Sequence, residues 1–374
     1  MMIDLSKAFD CLPHRLLLAK LKAYCFDNDA CDLVRSYLEN RRQRVKIGNT
    51  KGGWLNMSKG VPQGSILGPL LFNIFINDMF YTVGKLCDIY NYADDNNLSN
   101  HAKSLSEVKD RLETSSQSAI TWFKGNNMGA HPEKFQSMVL GCKNVQDLHG
   151  FSFTVGDFNV EPSENAKILG VKVDNDLNFN VHISEICAKA ARQLNALARL
   201  SKVLQKDVKM TLFNCFILSN FNYCSLVWHH CGTLNTLKME KIQERGLRLV
   251  FNDYDSSYKV LLKSAGKDLL YVSRLKRLAL FVFKALNNIG PSYLCDSYEQ
   301  KQSHYDLRCK SRVVQPKVKS TTYGLNSLRY QGASLWNQLP NDLKECTDVK
   351  SFKALLHKWE GPSCTCSYCI LCKF

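Results

Sequence analysis

The chain has 374 residues, of which 45% are hydrophobic and 22% are charged, and its formal net charge is +15. This length is sufficient for two or three hydrophobic cores, and the composition excludes a low-complexity or disordered protein. The apolar stretch from Ile66 to Val83 is interrupted by Asn73, Asn77 and Asp78. The sequence therefore predicts no membrane-spanning segment and no membrane partner.

In chain order, the first 145 residues alternate between strand-like and helical patterns. A strand is predicted over 1–9, helices near 14–24 and 30–40, a hairpin from 44–48 and 54–57 around Gly52 and Gly53, and a helix over 70–79. Ser104 and Glu107 form a capping box that predicts a helix to about Phe123. Further strands are predicted near 136–140, 152–160 and 167–173.

From about residue 181, apolar residues recur at helical spacing, and helices are predicted near 207–228, 234–251, 255–264 and 272–288. Mixed strands and helices followed by helices indicate an α+β fold.

Paired acids follow a strand-like segment at Tyr92-Ala93-Asp94-Asp95, which predicts carboxylates at the tip of a hairpin. Magnesium prefers such hard oxygen ligands. Because side chains alternate along a strand, Asp94 and Asp95 do not both face one metal ion, and a further carboxylate is needed. Asp4, in an apolar segment, supplies it. Between them lies a loop, 60–69, whose glycines allow close approach of backbone to a ligand.

Three segments in this order resemble motifs A, B and C of reverse transcriptases of the non-LTR, jockey-like retrotransposon type. They are DLSKAFD at 4–10, GVPQGSILGPLLFNIFIND at 60–78 and YADD at 92–95. Residues 131–134 resemble motif D, 168–174 resemble motif E with the primer grip, and 290–359 resemble the C-terminal part of the same reading frames.

The resemblance implies a palm with motifs A to E over 1–180, a helical thumb-like region over 181–290, and a basic C-terminal region with a cysteine-rich tail over 291–374. It further implies an RNA-directed DNA polymerase whose partners are an RNA template, a DNA primer and deoxynucleoside triphosphates. Asp4, Asp94 and Asp95 would hold two Mg²⁺ ions, with Mn²⁺ as an alternative.

The same resemblance assigns roles around the nucleotide. Phe9 would exclude the ribose 2′-hydroxyl, although packing in the core is the plainer role and both are compatible. Gln63 and Gly64 would contact the incoming nucleotide, and Ala93 would leave room for the primer terminus. Lys134 would protonate the leaving pyrophosphate, against the default of a surface lysine.

The positive charge is concentrated late in the chain. Residues 1–150 contain 18 Lys and Arg against 15 Asp and Glu, and residues 151–374 contain 31 against 19. The segment 301–330 mixes tyrosines with cations, which suits a nucleic-acid track or, equally, a solvated loop; its candidate binding residues are Lys310, Arg312, Lys317 and Lys319.

Sixteen cysteines, mostly scattered, indicate reduced thiols in an intracellular protein, and we expect it in the cytoplasm and nucleus. The tail places four cysteines close together: Cys364, Cys366, Cys369 and Cys372. Four thiolates can bind zinc, but this crowded run has no histidine, so a reduced, frayed terminus is favoured over a zinc site.

Motif A begins three residues after the first methionine, whereas reverse transcriptases place a fingers subdomain with basic residues ahead of it. We therefore expect a 5′-truncated copy, with the fingers largely missing, that binds nucleic acid but extends a primer poorly. A catalytically inactive binding remnant is one alternative function. A metal-dependent phosphodiesterase is another, with His14 as the available residue to activate water.

Overall fold

The structure, a computed structural model, describes residues 1–142, 148–301 and 312–362. The chain forms two compact units, Met1–Ala166 and Lys167–Phe374. The division into 1–180, 181–290 and 291–374 stays a prediction.

The first unit combines short strands with helices. In chain order its elements are β1 (Met2–Ile3), β2 (Leu5–Ser6), α1 (Ala8–Cys11), α2 (His14–Ala23), α3 (Asn28–Leu38), β3 (Arg42–Gln43), β4 (Lys46–Ile47), β5 (Thr50–Lys51), β6 (Leu55–Asn56), α4 (Leu67–Ile76), α5 (Met79–Thr82), β7 (Asp88–Tyr92), β8 (Asp95–Ser99), α6 (Leu105–Gly125), β9 (Gly129–Ala130), β10 (Phe153–Val155) and β11 (Phe158–Val160). A 3₁₀ turn at Pro132–Lys134 lies between β9 and β10.

The largest sheet of the described residues has three antiparallel strands in the order β1, β8, β7. The remaining sheets of the first unit are two-stranded and pair β2 with β9, β3 with β6, β4 with β5, and β10 with β11. Together with the helices, they confirm the predicted mixture of helices and antiparallel sheet. The assignment to palm and thumb stays a prediction.

One core holds the first unit together. The apolar run of α4 supplies Phe72 and Phe75, which are fully buried, and α6 supplies Phe123. Lys20 on α2 is also buried: its ammonium donates to the carbonyl of Phe75 at 2.8 Å and to Asp78 Oδ1 at 2.8 Å. Burial lowers the pKa of Lys20, and the bond to Asp78 partly offsets this effect.

Three predicted elements differ from those observed. The strand predicted over 1–9 ends early, because Lys7 adopts φ 46° and turns the chain into α1, so that Phe9 is helical. The hairpin predicted around Gly52 and Gly53 turns instead between the paired residues Ile47 and Thr50, where Gly48 has φ 57°. The stretch 136–140 forms isolated bridges at Gln136 and Ser137 rather than a strand.

The Ser104 part of the predicted capping box is confirmed, because the Ser104 hydroxyl accepts a hydrogen bond from the backbone N–H of Glu107 at 3.3 Å. The Glu107 carboxylate accepts a hydrogen bond from Arg111 at 2.6 Å.

The second unit is largely helical. Its hairpin pairs β12 (Asn165–Ile168), in which the unit boundary falls, with β13 (Val171–Asp174). The helices are α7 (Asn180–Leu200), α8 (Lys206–Leu212), α9 (Ser219–Asn222), α10 (Thr233–Phe251), α11 (Tyr258–Ala265), α12 (Leu270–Leu286), α13 (Ser292–Cys295), α14 (Leu328–Gln338), α15 (Asn341–Lys344) and α16 (Val349–Lys358), with π-helical turns at Phe213–Leu218 and Thr321–Leu325.

Two cores fill this unit, one around Phe213, Trp228 and Leu247 and the other around Phe283, Trp336 and Phe352. Within the described ranges of both units, no helix combines the length and the apolar composition needed to cross a membrane.

Candidate active site

Asp4 and the paired acids lie at the same end of the three-stranded sheet. Strand β1 runs antiparallel to β8 with Ile3 opposite Asn96. Asp4 follows Ile3 and Asp95 precedes Asn96, so the register brings these two carboxylates to neighbouring strand ends. The backbone carbonyl of Asp4 accepts a hydrogen bond from the N–H of His131 at 3.3 Å, which connects motif A to the segment carrying Lys134.

The paired acids lie at the tip of the tight hairpin formed by β7 and β8. Tyr92 pairs with Asp95, which leaves Ala93 and Asp94 as a two-residue turn. Ala93 adopts φ 52°, a conformation that residues with a side chain rarely take. The buried Asn96 supports the turn, because its side-chain amide donates to the carbonyl of Asp94 at 2.8 Å. The predicted hairpin with acids at its tip is confirmed.

The charges of the neighbouring acids affect the ionisation of Asp95. Its pKa is raised, first by burial and then by the negative charges of Asp94 and Asp4. One cation approaches the group: Lys134 Nζ lies 3.4 Å from Asp4 Oδ2. Both side chains are about half exposed, so this ion pair contributes no more than about 1 kcal/mol to stability.

The three carboxylates are donors of the type that divalent metal ions prefer. Carboxylate oxygens are hard ligands, and a divalent cation would relieve the repulsion among the acids, which together with burial raises the pKa of Asp95. Over the described ranges, however, no group of three His, Cys, Asp or Glu side chains is already arranged around one point as metal ligands. Binding would thus require side-chain rotation of these partly exposed acids. The four tail cysteines lie outside the described residues.

The motif B loop is fastened to motif A by backbone hydrogen bonds. Gly60 N–H donates to the carbonyl of Leu12 at 2.7 Å, and Val61 N–H donates to the carbonyl of Phe9 at 2.9 Å. Gly60 has φ 84°, and a Cβ there would lie 2.9 Å from the Cα of Asp10. Only glycine allows this approach without strain.

Two side chains strengthen this connection, and the sequence did not reveal either role. The amide of Gln63 donates to Asp10 Oδ1 at 2.9 Å, and His14 Nε2 lies 2.7 Å from the carbonyl oxygen of Gly60. Asp10 is not among the site residues that the sequence predicts. The signal that was available is its place directly after Phe9 in motif A.

Other predicted residues divide into packed and open positions. Phe9 is half-buried and stacks on Phe72 with ring centroids 4.5 Å apart, so it has a packing role whatever else it does. Gly64 is exposed at φ 78°, with no heavy atom near its missing Cβ. Gln63 is also exposed.

The predicted nucleic-acid track lies in the second unit. Arg312, Lys317 and Lys319 are exposed on a segment without helix or strand, and Lys310 lies outside the described residues. The segment is held at Val313, whose backbone N–H donates to Asn337 Oδ1 at 2.9 Å and whose carbonyl accepts from Asn337 Nδ2 at 3.0 Å.

Comparison with known proteins gives a family match over the first part of the chain. Residues 1–173 match the model of the family described as reverse transcriptase (RNA-dependent DNA polymerase). The chain carries a reverse transcriptase domain. Its motifs and its relatives place it with the RNA-directed DNA polymerases of non-LTR retrotransposons.

Three Drosophila melanogaster proteins illustrate the similarity. The chain is 26% identical to the "Probable RNA-directed DNA polymerase from transposon BS" over 257 residues, and 27% identical to the corresponding protein of the X-element over 256. It is 27% identical to the RNA-directed DNA polymerase from mobile element jockey over 263. Each match covers 66% of this chain but only 28% of the relative's length.

Proposed function

We propose that this reverse transcriptase domain adds deoxynucleotides to the 3′-hydroxyl of a primer, directed by an RNA template. The observation that carries the proposal is the strand register, which brings Asp4 to the same end of the three-stranded sheet as the hairpin turn with Asp94 and Asp95. The relatives are named as RNA-directed DNA polymerases, and the chain spans 28% of their length. Their full activity is therefore proposed here, on the strength of this site.

Asp4, Asp94 and Asp95 are the residues that would hold two Mg²⁺ ions. Bound there, the ions would supply neutralising charge to the attacking and leaving oxygens of nucleotidyl transfer. Lys134 belongs to the same group through its 3.4 Å contact with Asp4. Its ammonium can move between this carboxylate and a leaving pyrophosphate, to which it would donate a proton. General acids in such positions contribute roughly 10²–10⁴-fold to rate.

The motif B loop would position the nucleotide. The amide nitrogen of the exposed Gln63 side chain donates to Asp10. This hydrogen bond would orient the amide oxygen of Gln63. The space at Gly64, where no heavy atom lies within 4 Å of the missing Cβ, would let the backbone of the loop approach a ligand closely. Phe9, held by its stack on Phe72, would form a rigid wall beside the sugar.

The test is primer extension on an RNA template with purified chain and Mg²⁺. We expect Asp94→Asn to abolish extension, because it removes one ligand charge at the turn. Asp88→Asn is the matched control, since Asp88 is an exposed acid at the far end of the same hairpin. Equal activity in wild type and Asp94→Asn would overturn the proposed site.

A second measurement does not depend on activity. Mg²⁺ should raise the unfolding temperature of wild type and of Asp88→Asn but not of Asp94→Asn, because a ligand that binds the folded state stabilises it. A Mg²⁺ response that survives Asp94→Asn would place the ion elsewhere.

Binding without catalysis is the second candidate function. It is favoured by the arrangement of the acids, which are close but are not already converged as metal ligands within the described part of the chain. RNA binding by a chain that neither extends primers nor responds to Mg²⁺ would select it.

A further inference from the structure

A free-standing basic ribbon projects from the first unit at residues 41–57. Its two halves are the paired strands β3 with β6 and β4 with β5, and Met57 N–H closes its base on the carbonyl of Arg41 at 2.9 Å. All residues from 41 to 56 are exposed. Two-stranded ribbons without a core are marginally stable in water, so this one gains from a partner.

The charge of the ribbon indicates what kind of partner. Between Glu39 and Asp78 the sequence has no acidic residue, and it has six cations: Arg41, Arg42, Arg44, Lys46, Lys51 and Lys59. None of the six forms an ion pair with another residue that the structure describes.

Two of these cations are placed against each other. Lys46 lies directly opposite Lys51 in the strand pair. Like charges in that position are destabilising unless an anion lies between or above them. A polyanion would convert this repulsion into binding energy.

The ribbon also carries an aromatic ring. Arg42 and Lys46 lie in the two strand segments on one side of the ribbon, and Arg44 lies between them at residues 44–45, which are not paired as strand. The guanidinium of Arg44 lies over Trp54, 4.4 Å from the ring centre, so the indole lies among these cations. Trp54 is 56% exposed.

We propose that the basic ribbon binds single-stranded nucleic acid. Arg42, Lys46 and Lys51 would contact phosphates, and an unpaired base would stack on Trp54. Cations beside an exposed aromatic ring are the chemistry that single strands use, whereas the bases of a duplex are already stacked on each other. The inference deepens the proposed function and rests on it, since the occupant is an unpaired stretch of the template.

The first experiment measures binding of a short labelled single-stranded RNA by fluorescence anisotropy over a range of salt concentrations. In the variant R42Q/K46Q/K51Q, the slope of log Kd against log salt should fall by about 2, because each phosphate contact on a single strand contributes about 0.7. The control K85Q/K103Q/K124Q removes the same charge from exposed lysines of the first unit outside the ribbon. Its slope should stay at the wild-type value.

The second experiment tests stacking. Trp54→Ala should weaken binding of the single strand at least about 5-fold, and Trp54→Phe should keep most of the affinity, because one stacked base is worth about 1–3 kcal/mol. Helical circular dichroism should be unchanged in every variant, since no ribbon residue from 41 to 56 is buried.

Three results would overturn the inference: equal loss in the ribbon and control triple variants, an unchanged affinity in Trp54→Ala, or a duplex that binds as tightly with the same dependence on Trp54. Failure here is separable from failure of the proposed function. Primer extension by the wild type that requires Asp94 would support the proposed function even if the ribbon variants bind RNA normally. Loss of RNA binding in the ribbon variants would support the ribbon as a binding surface even if the chain does not extend a primer.

Discussion

The pKa of Asp95 is a measurable property that depends on the geometry of the site. Its pKa is raised because burial and the charges of Asp94 and Asp4 disfavour the carboxylate. A carboxyl whose pKa is higher in the folded than in the unfolded state favours folding while it is protonated. This contribution is present at low pH and is lost as the pH rises from the ordinary carboxyl pKa through the raised one.

We predict that Asp94→Asn lowers the pKa of Asp95, because it removes the larger of the two charge effects, and that Asp4→Asn lowers it less. Titration of the Asp95 carboxyl carbon by NMR measures both shifts. Asp88→Asn should leave the pKa of Asp95 unchanged, because Asp88 lies at the far end of the hairpin. An unchanged pKa in both Asp94→Asn and Asp4→Asn would mean that the three acids do not interact.

Residue-scale contacts also connect motif A to motif B. The hydrogen bond from Gln63 to Asp10 joins positions 53 residues apart, and the close approach of Gly60 to Asp10 brings the two backbones together. Neither contact involves a metal ligand. Both fix where the motif B loop stands relative to the strand end that carries Asp4, so the site depends on residues outside its acids.

At the scale of elements, α10 approaches the π-helical turn at Phe213–Leu218 through a glycine. A Cβ built on Gly246 would lie 2.1 Å from the Cε2 atom of Phe213, whose ring is fully buried and cannot move into solvent. We predict that Gly246→Ala lowers the free energy of unfolding by about 1–3 kcal/mol, as overpacking of a close-packed core does. Chemical denaturation followed by circular dichroism measures the change.

The same helix supplies the control for this prediction. Gly232 caps the N-terminus of α10, and its missing Cβ has no heavy atom within 4 Å. Gly232→Ala should cost less than about 1 kcal/mol. Phe213→Leu should partly rescue Gly246→Ala, with a double-mutant loss smaller than the sum of the single losses. Additive losses would show that the alanine does not act through Phe213.

Elements were predictable where the signal was local. Ser104 and Glu107 predict the start of α6, and Tyr92 shortly before two acids predicts the hairpin tip. The ribbon turn was misplaced because Gly48-Asn49 and Gly52-Gly53 are both good turn sequences, and pairing across the strands selects the first. The buried Lys20 was not foreseen, because its partners lie on another part of the chain and lysine is usually a surface residue.

At the scale of the whole molecule, the candidate catalytic acids and most of the positive charge lie in different parts of the sequence. The candidate acids all precede residue 100, whereas residues 151–374 hold 31 of the 49 Lys and Arg residues. A polymerase must hold a long polyanion while it acts on one bond, and distributed cations provide that hold without sequence specificity. The exposed cations between residues 312 and 320 are the part of this excess that an extended strand of phosphates could follow.

We predict that the variant R312Q/K317Q/K319Q binds RNA more weakly at low salt and loses about 2 from the slope of log Kd against log salt, because the three cations that it lacks would each contact a phosphate. Val313 should hold the segment in place in the variant, since its bonds to Asn337 do not involve the changed residues. The matched control is K202Q/K259Q/K353Q, which removes the same charge from exposed lysines elsewhere in the second unit. An equal slope in the two triple variants would mean that net charge alone attracts RNA, and it would remove these three cations from the binding surface.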